Sequence, residues 1–306
     1  MALPGVTGNF DHLALDLVGR RLFVTPESDH SVIVLDLTSG KVAHVITGIG
    51  TPHAVLYRED LNRIFVTDGD PGELKIYDGS TYELVKKITL LAHTDSVKYD
   101  PKSKYLYIIT GGKDAHQTTS TISIADTTTG SIVGNIRIDS EALEAMAIDG
   151  KTGRLYVSDK AKNRIDIVDI GSRTLVGTWP ITLGQVNVSI ALDPIHHRLF
   201  VGCRSGDMVV FDTETGRELA SLLMTKGVDD MIYDPATQRV YASCGFGQGV
   251  VEIYKETAPD KIVALTQIPS GPFGKTSLLS TDLQRYFVSV PGHGDTPASV
   301  LVYEVH

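Results

Sequence analysis

One four-residue phrase recurs seven times along the chain, as Arg21-Leu22-Phe23-Val24, Arg63-Ile64-Phe65-Val66, Tyr105-Leu106-Tyr107-Ile108, Arg154-Leu155-Tyr156-Val157, Arg198-Leu199-Phe200-Val201, Arg239-Val240-Tyr241-Ala242 and Arg285-Tyr286-Phe287-Val288. Successive central aromatics stand 42, 42, 49, 44, 41 and 46 residues apart. A period of about 40–50 residues built from short strands marks a β-propeller or a related array, because one unit cannot bury its own apolar faces and must stack on its neighbours. Seven copies predict seven blades.

The internal order of each repeat specifies the architecture. An apolar strand ending in Asp or Asp-Pro comes first, as in Leu13 to Asp16, Tyr99-Asp100-Pro101, Leu192-Asp193-Pro194 and Tyr233-Asp234-Pro235. The phrase itself follows after a tight polar turn, then a variable loop, then an alternating strand ending in Asp (Ser31 to Asp36, Leu74 to Asp78, Ile122 to Asp126, Ile165 to Asp169, Met208 to Asp212). A Ser/Thr-Gly turn, such as Ser39-Gly40 or Thr215-Gly216, leads into a fourth strand such as Lys41 to Ile46. Four period-two strands joined by turn residues make one antiparallel sheet. No stretch keeps a helical period, so the expected class is all-β. The expected architecture is a seven-bladed propeller spanning 1–306 as a single domain.

The seventh repeat is short, since the sequence ends three residues after its third strand, Val300 to Tyr303. Ala2-Leu3-Pro4-Gly5-Val6 has no other assignment and is expected to supply the missing outer strand, which would leave no free sheet edge.

Composition narrows the partners. A net charge of −9 with no Lys/Arg run argues against a nucleic-acid backbone and against an anionic membrane surface. No segment approaches the roughly 18 apolar residues needed to span a bilayer. Cys203 and Cys244 each lie three residues after an anchor aromatic in adjacent repeats. Equivalent points on neighbouring blades are expected to exceed the roughly 7 Å Cα limit of a disulfide, so two buried thiols are expected. Met1-Ala2 runs straight into the expected closing strand with no leader. Cytoplasmic, periplasmic and secreted settings all stay open. The chain is expected to be a monomer.

The repeated Arg-Leu-Phe/Tyr-Val, Val-x-Val-x-Asp and Thr-Gly-Lys-like turns resemble those of the YVTN-type (YncE-like) bacterial β-propellers over essentially the whole chain. Phe10 to Asp16, His196 to Arg204, Asp229 to Asp234 and Lys275 to Leu278 carry the resemblance further, towards one branch of that family. It implies a seven-bladed propeller. It implies little about activity, since members mostly lack an assigned function and many are exported.

Aligning the repeats on the anchor aromatic places Asp11, His53, Asp95, Glu144, Val188, Asp229 and Lys275 twelve residues upstream, at the start of each first strand. Six of these seven are ionisable. Strand-entry Asp and His also cap turns, but first strands of a propeller converge on a channel mouth, where His12, His93, Asn187 and Asp230 would join them. Loops between second and third strands reach the same face and add Asp114, His116, Lys160, Arg204, Phe246 and His293. Charged groups crowded in this way shift one another's pKa values unless a cation or polar ligand intervenes.

Three functions fit these residues. The first is binding of a small polar ligand through Asp11, His12, His116, Asn187, Asp230, Phe246 and His293, with a divalent metal held by His12, His53, Asp95 and Asp229. Mixed nitrogen and oxygen donors suit Zn²⁺, Mn²⁺ or Fe²⁺, and carboxylates with water suit Ca²⁺ or Mg²⁺. The second is a lyase or lactone-type hydrolase using His53, Asp95, Glu144 and Asp229 for acid/base work and Lys275 and Arg204 to stabilise an anion. No Gly-x-Ser-x-Gly motif marks a serine nucleophile. The third is a protein-interaction scaffold without chemistry, although the loops are mostly small and polar.

Overall fold

The computed structural model describes residues 1–258 and 261–305, so His306 at the chain end lies outside the described residues. The chain is all-β, with seven four-stranded antiparallel sheets forming the blades of a propeller. Among the described residues the only helical elements are three short 3-10 turns, at Glu27–Asp29, Glu59–Leu61 and Lys113–Ala115. None is long enough to cross a membrane. In six sheets the strands follow chain order, as in Phe10–Asp16, Arg21–Pro26, Val32–Asp36 and Lys41–Ile46 of the first.

The seventh sheet is completed by Ala2–Leu3, which pairs antiparallel with Ala298–Glu304. The amine of Met1 donates to the Val300 carbonyl at 2.7 Å. The closing strand is shorter than the expected Ala2 to Val6. Pro4 has no N–H to donate, and Gly5 turns the chain away at φ +83°.

The repeated phrase acts as a packing device. Arg21–Pro26 and its equivalents are buried along nearly their whole length. In four of the blades the anchor aromatic packs with the aliphatic residues of the next blade's second strand. Phe23 packs with Ile64 and Val66, Phe65 with Leu106 and Ile108, Tyr156 with Leu199 and Val201, and Phe200 with Val240 and Ala242. Alternation along a strand is what gives one phrase both a knob and a socket. In the second and fifth repeats its arginine meets the Asp that ends the third strand, Arg63 Nη1 with Asp78 Oδ2 at 2.6 Å and Arg198 Nη1 with Asp212 Oδ2 at 3.4 Å. Outer strands such as Lys41–Ile46 are mostly exposed, which is why their apolar pattern is weak.

By packing, the chain divides into two compact units. The first comprises Met1–Glu141, Thr276–Leu278 and Tyr286–Tyr303; the second comprises the described residues of Ala142–Lys275, Leu279–Arg285 and Glu304–His306. Both cysteines are buried and free in the second unit, as expected. Burial raises both thiols, Cys203 to about 12. Trp179 sits in the outer strand Thr174–Pro180 against Tyr156 and Phe211, a packing role.

Candidate functional site

A register shift of the β-bulge kind interrupts the first strand of five repeats at the aligned position, which is ionisable in four of them. The register shifts between Phe10 and Leu13, Pro52 and Val55, Leu143 and Met146, Asn187 and Ser189, and Val228 and Asp230. Asp11, His53, Glu144, Val188 and Asp229 therefore lie in bulges, which bend a strand and re-aim its side chains. In the first two repeats the second strand supports this irregular backbone with a hydroxyl two residues past the anchor aromatic. Thr25 Oγ1 donates to the His12 carbonyl at 2.9 Å and to that of His53 at 3.1 Å. Thr67 Oγ1 accepts the Ala54 N–H at 2.7 Å.

In the first unit, three blades bring Asp11, His53 and Asp95 together, with one potential ligand atom from each lying within 4.8 Å of the others. His53 Nδ1 is 2.8 Å from Asp11 Oδ2 and 3.8 Å from Asp95 Oδ1. His93 Nε2 lies 3.5 Å from Asp95 Oδ2 and 3.6 Å from Asp114 Oδ2, and its ring stands edge-on to His53 with centroids 5.8 Å apart. His12 Nε2 lies 3.5 Å from Asp11 Oδ1. Burial pulls the His53 pKa down, but the hydrogen bond to Asp11 and the fields of Asp95, Asp11 and Glu27 outweigh it and push the imidazole up to about 9. The group thus holds an imidazolium between two carboxylates at neutral pH. A donor set of imidazole nitrogen and carboxylate oxygens also suits a divalent first-row metal.

The second unit gathers the other aligned residues into ion pairs. Asp229 is bracketed by Arg204, on Oδ1, and by Lys275 Nζ, 2.6 Å from Oδ2. Glu144 pairs with Lys160. Both oxygens of Asp229 thereby serve cations, and of the four residues expected to hold a metal only His53 and Asp95 converge, joined by Asp11 and without His12 or Asp229. Asp229 is thus ion-paired on both oxygens rather than open to a metal.

The remaining sequence candidates are placed separately. Asn187 is fully buried, donating from Nδ2 to Ser158 Oγ at 2.6 Å and to the Arg164 carbonyl at 3.2 Å, so it ties two blades together. Asp230 pairs in register with Ser243 and is half-buried. His116 is exposed and closes the 3-10 turn Lys113–Ala115 in the left-handed region at φ 58°. His293 is exposed in a small loop bridged to Thr296. Phe246 is exposed, its ring lying over Gly227, where a Cβ would meet it.

No family model matches the chain. Two curated proteins, both described as uncharacterized protein YncE, are similar over 114 residues: one from Salmonella typhi at 29% identity and one from Salmonella typhimurium strain LT2 at 28%. The match takes in 37% of this chain and spans only about a third, 31%, of the length of either relative. Solved structures match over the whole chain. A chain of the mitotic checkpoint complex superposes with a TM-score of 0.81 at 16% identity, over 90% of its own length. A chain of hydrazine synthase from Kuenenia stuttgartiensis gives 0.80 at 17%, over 99%. At such identities the likeness concerns the fold alone, which is compatible with binding and with scaffolding.

Proposed function

We propose that this chain is a ligand-binding propeller of the YncE-like kind, and that Asp11, His53 and Asp95 receive a small polar ligand through a divalent cation, with His93 at the rim. The observation that carries this reading is the convergence of two carboxylates and an imidazole from three separate blades on one point. Each of the three comes from the same repeat position. Bulges orient Asp11 and His53. A fold-stabilising role alone needs none of the three to be ionisable, since Val188 occupies the same position in the fifth repeat.

The test is a calorimetric titration of the full chain with Mn²⁺. One equivalent is expected. Asp11→Asn, His53→Gln and Asp95→Asn should each weaken it at least about tenfold while leaving the circular dichroism spectrum intact. Undiminished binding in all three variants would remove the assignment. A lyase or lactone-hydrolase reading uses the same residues and is favoured by His53 itself, because an imidazolium seated against carboxylates has the makings of a general acid. Turnover of a carboxylate or lactone substrate that disappears in His53→Gln would select that reading over binding alone.

A further inference from the structure

A second cluster lies in the second unit where the fifth and sixth blades meet, with Asp193 at the other end of the strand that begins beside the aligned Val188. Asp193 closes the first strand of the fifth blade, His196 follows in the turn, and Glu256 comes from the third strand of the sixth blade, Val250–Ala258. His196 Nδ1 is 2.5 Å from Asp193 Oδ2 and 3.6 Å from Glu256 Oε2. Tyr233 donates to the same Asp193 oxygen at 2.6 Å. Asp193 is 0% and Glu256 3% exposed.

The other repeats show what the fold requires here. Asp100, Asp149 and Asp234 occupy the Asp193 position, and each accepts a hydroxyl three residues on, from Ser103, Thr152 and Thr237 at 2.6, 2.7 and 2.6 Å. The fifth repeat replaces that hydroxyl with an imidazole. The Glu256 position is identified by its backbone N–H, which donates to the carbonyl of the preceding turn, as do those of Gly79, Thr127, Ile170 and Thr213. None of these is acidic. Elsewhere this seam is closed by arginine, as Arg58 does to Thr127 and Arg154 to the Thr213 carbonyl. At the fifth and sixth blades Arg198, the counterpart of Arg154, donates to the His197 carbonyl and to Asp212 and reaches Glu256 through its field; two carboxylates are nevertheless buried side by side here, and Oε1 of Glu256 is buried with no hydrogen-bond partner among the described residues. An unpartnered buried carboxylate oxygen costs stability unless something cationic meets it.

We propose that Asp193, His196 and Glu256 form a metal site of the Zn²⁺ type, separate from the Asp11–His53–Asp95 cluster and independent of the reading given to it. One potential ligand atom from each residue lies within 4.8 Å of the others. Ligand atoms around a tetrahedral ion with bonds of about 2.1 Å stand roughly 3.4 Å apart. The His196 to Glu256 spacing of 3.6 Å already suits that geometry, and the Asp193 to His196 contact has only to open. Tyr233 supplies the outer hydrogen bond that ligating carboxylates take. The His196 side chain, 30% exposed, gives the ion a route from solvent and leaves a fourth position for water.

The full chain would be titrated with Zn²⁺ by calorimetry at pH 7.5, beside His196→Ser, Glu256→Gln and Asp95→Asn. Ser is the residue that the third repeat itself uses at this turn, and Gln keeps the volume of the buried side chain. The wild-type protein should show one equivalent that is lost, or weakened at least tenfold, in His196→Ser and Glu256→Gln and that persists in Asp95→Asn. Wild-type protein that takes up no Zn²⁺ would overturn the proposal, as would undiminished uptake by His196→Ser. Loss of the other cluster's ion in Asp95→Asn alone would leave it standing.

Discussion

Replacing Phe200 with alanine should cost the fold about 3–5 kcal/mol, the range for emptying a large aromatic site in a packed core. Phe200 is 0% exposed. It packs with Val240 and Ala242 of the next blade and with Met208 and Val210 of its own, and Tyr233 stacks on it with ring centroids 5.6 Å apart. These neighbours belong to strands held by their own ladders, so they cannot close the gap by moving inward. Phe246→Ala provides the contrast. Its ring is 53% exposed on a loop, so the same chemical change should cost about 1 kcal/mol or less. Guanidinium unfolding followed by the fluorescence of Trp179, which lies in the same unit against Tyr156 and Phe211, measures both. Equal losses in the two variants would mean that the repeated phrase is not the main packing element.

That contrast also shows where the sequence is a sound guide. The anchor aromatics could be picked out because one physical demand, a knob for the neighbouring blade, is imposed at every repeat and is met by the same residue class. Aligning on them located Asp11, His53 and Asp95 for the same reason. The grouping of side chains was less legible. Simple alternation sends neighbours to opposite faces, whereas bulges at Asp11, His53 and Asp229 reset the direction, and no residue type announces a bulge. Lys275 is the aligned residue of the repeat that follows Asp229, but Arg204 comes from a loop of the preceding repeat, and no spacing connects it to Asp229. Asn187 lay in the right register but faces Ser158 and Arg164 inside the packing. Glu256 was hidden most completely. In sequence it is one more polar residue in an alternating strand, and only its place against Asp193 makes it unusual.

Raising the pH from 6.5 to 9 should cost the folded protein roughly 3 kcal/mol through His53 alone, at 1.36 kcal/mol per pKa unit. Its imidazole is pushed up to about 9 in the fold against 6.5 as the ordinary value. A group whose folded pKa is raised contributes its full stability below the unfolded value and loses it as the pH climbs through the folded one. The loss therefore falls between pH 6.5 and 9, in the direction opposite to acid unfolding. The side chain is only 12% exposed, so solvent and salt screen little of the interaction with Asp11. Other groups titrate in the same range, and His53→Gln separates them. Glutamine can still donate to Asp11 Oδ2 but carries no charge, so the variant should lack that portion of the pH-dependent loss. Unfolding midpoints of both proteins at intervals from pH 6 to 9.5 give the difference directly. Asp11→Asn supplies the complementary reading, because removing the nearer carboxylate should bring the His53 titration, followed by its ring proton resonance, down towards its ordinary value. Superimposable stability profiles for wild type and His53→Gln would show that the imidazolium is not held by the fold, and with it would go the basis for a general acid at this cluster.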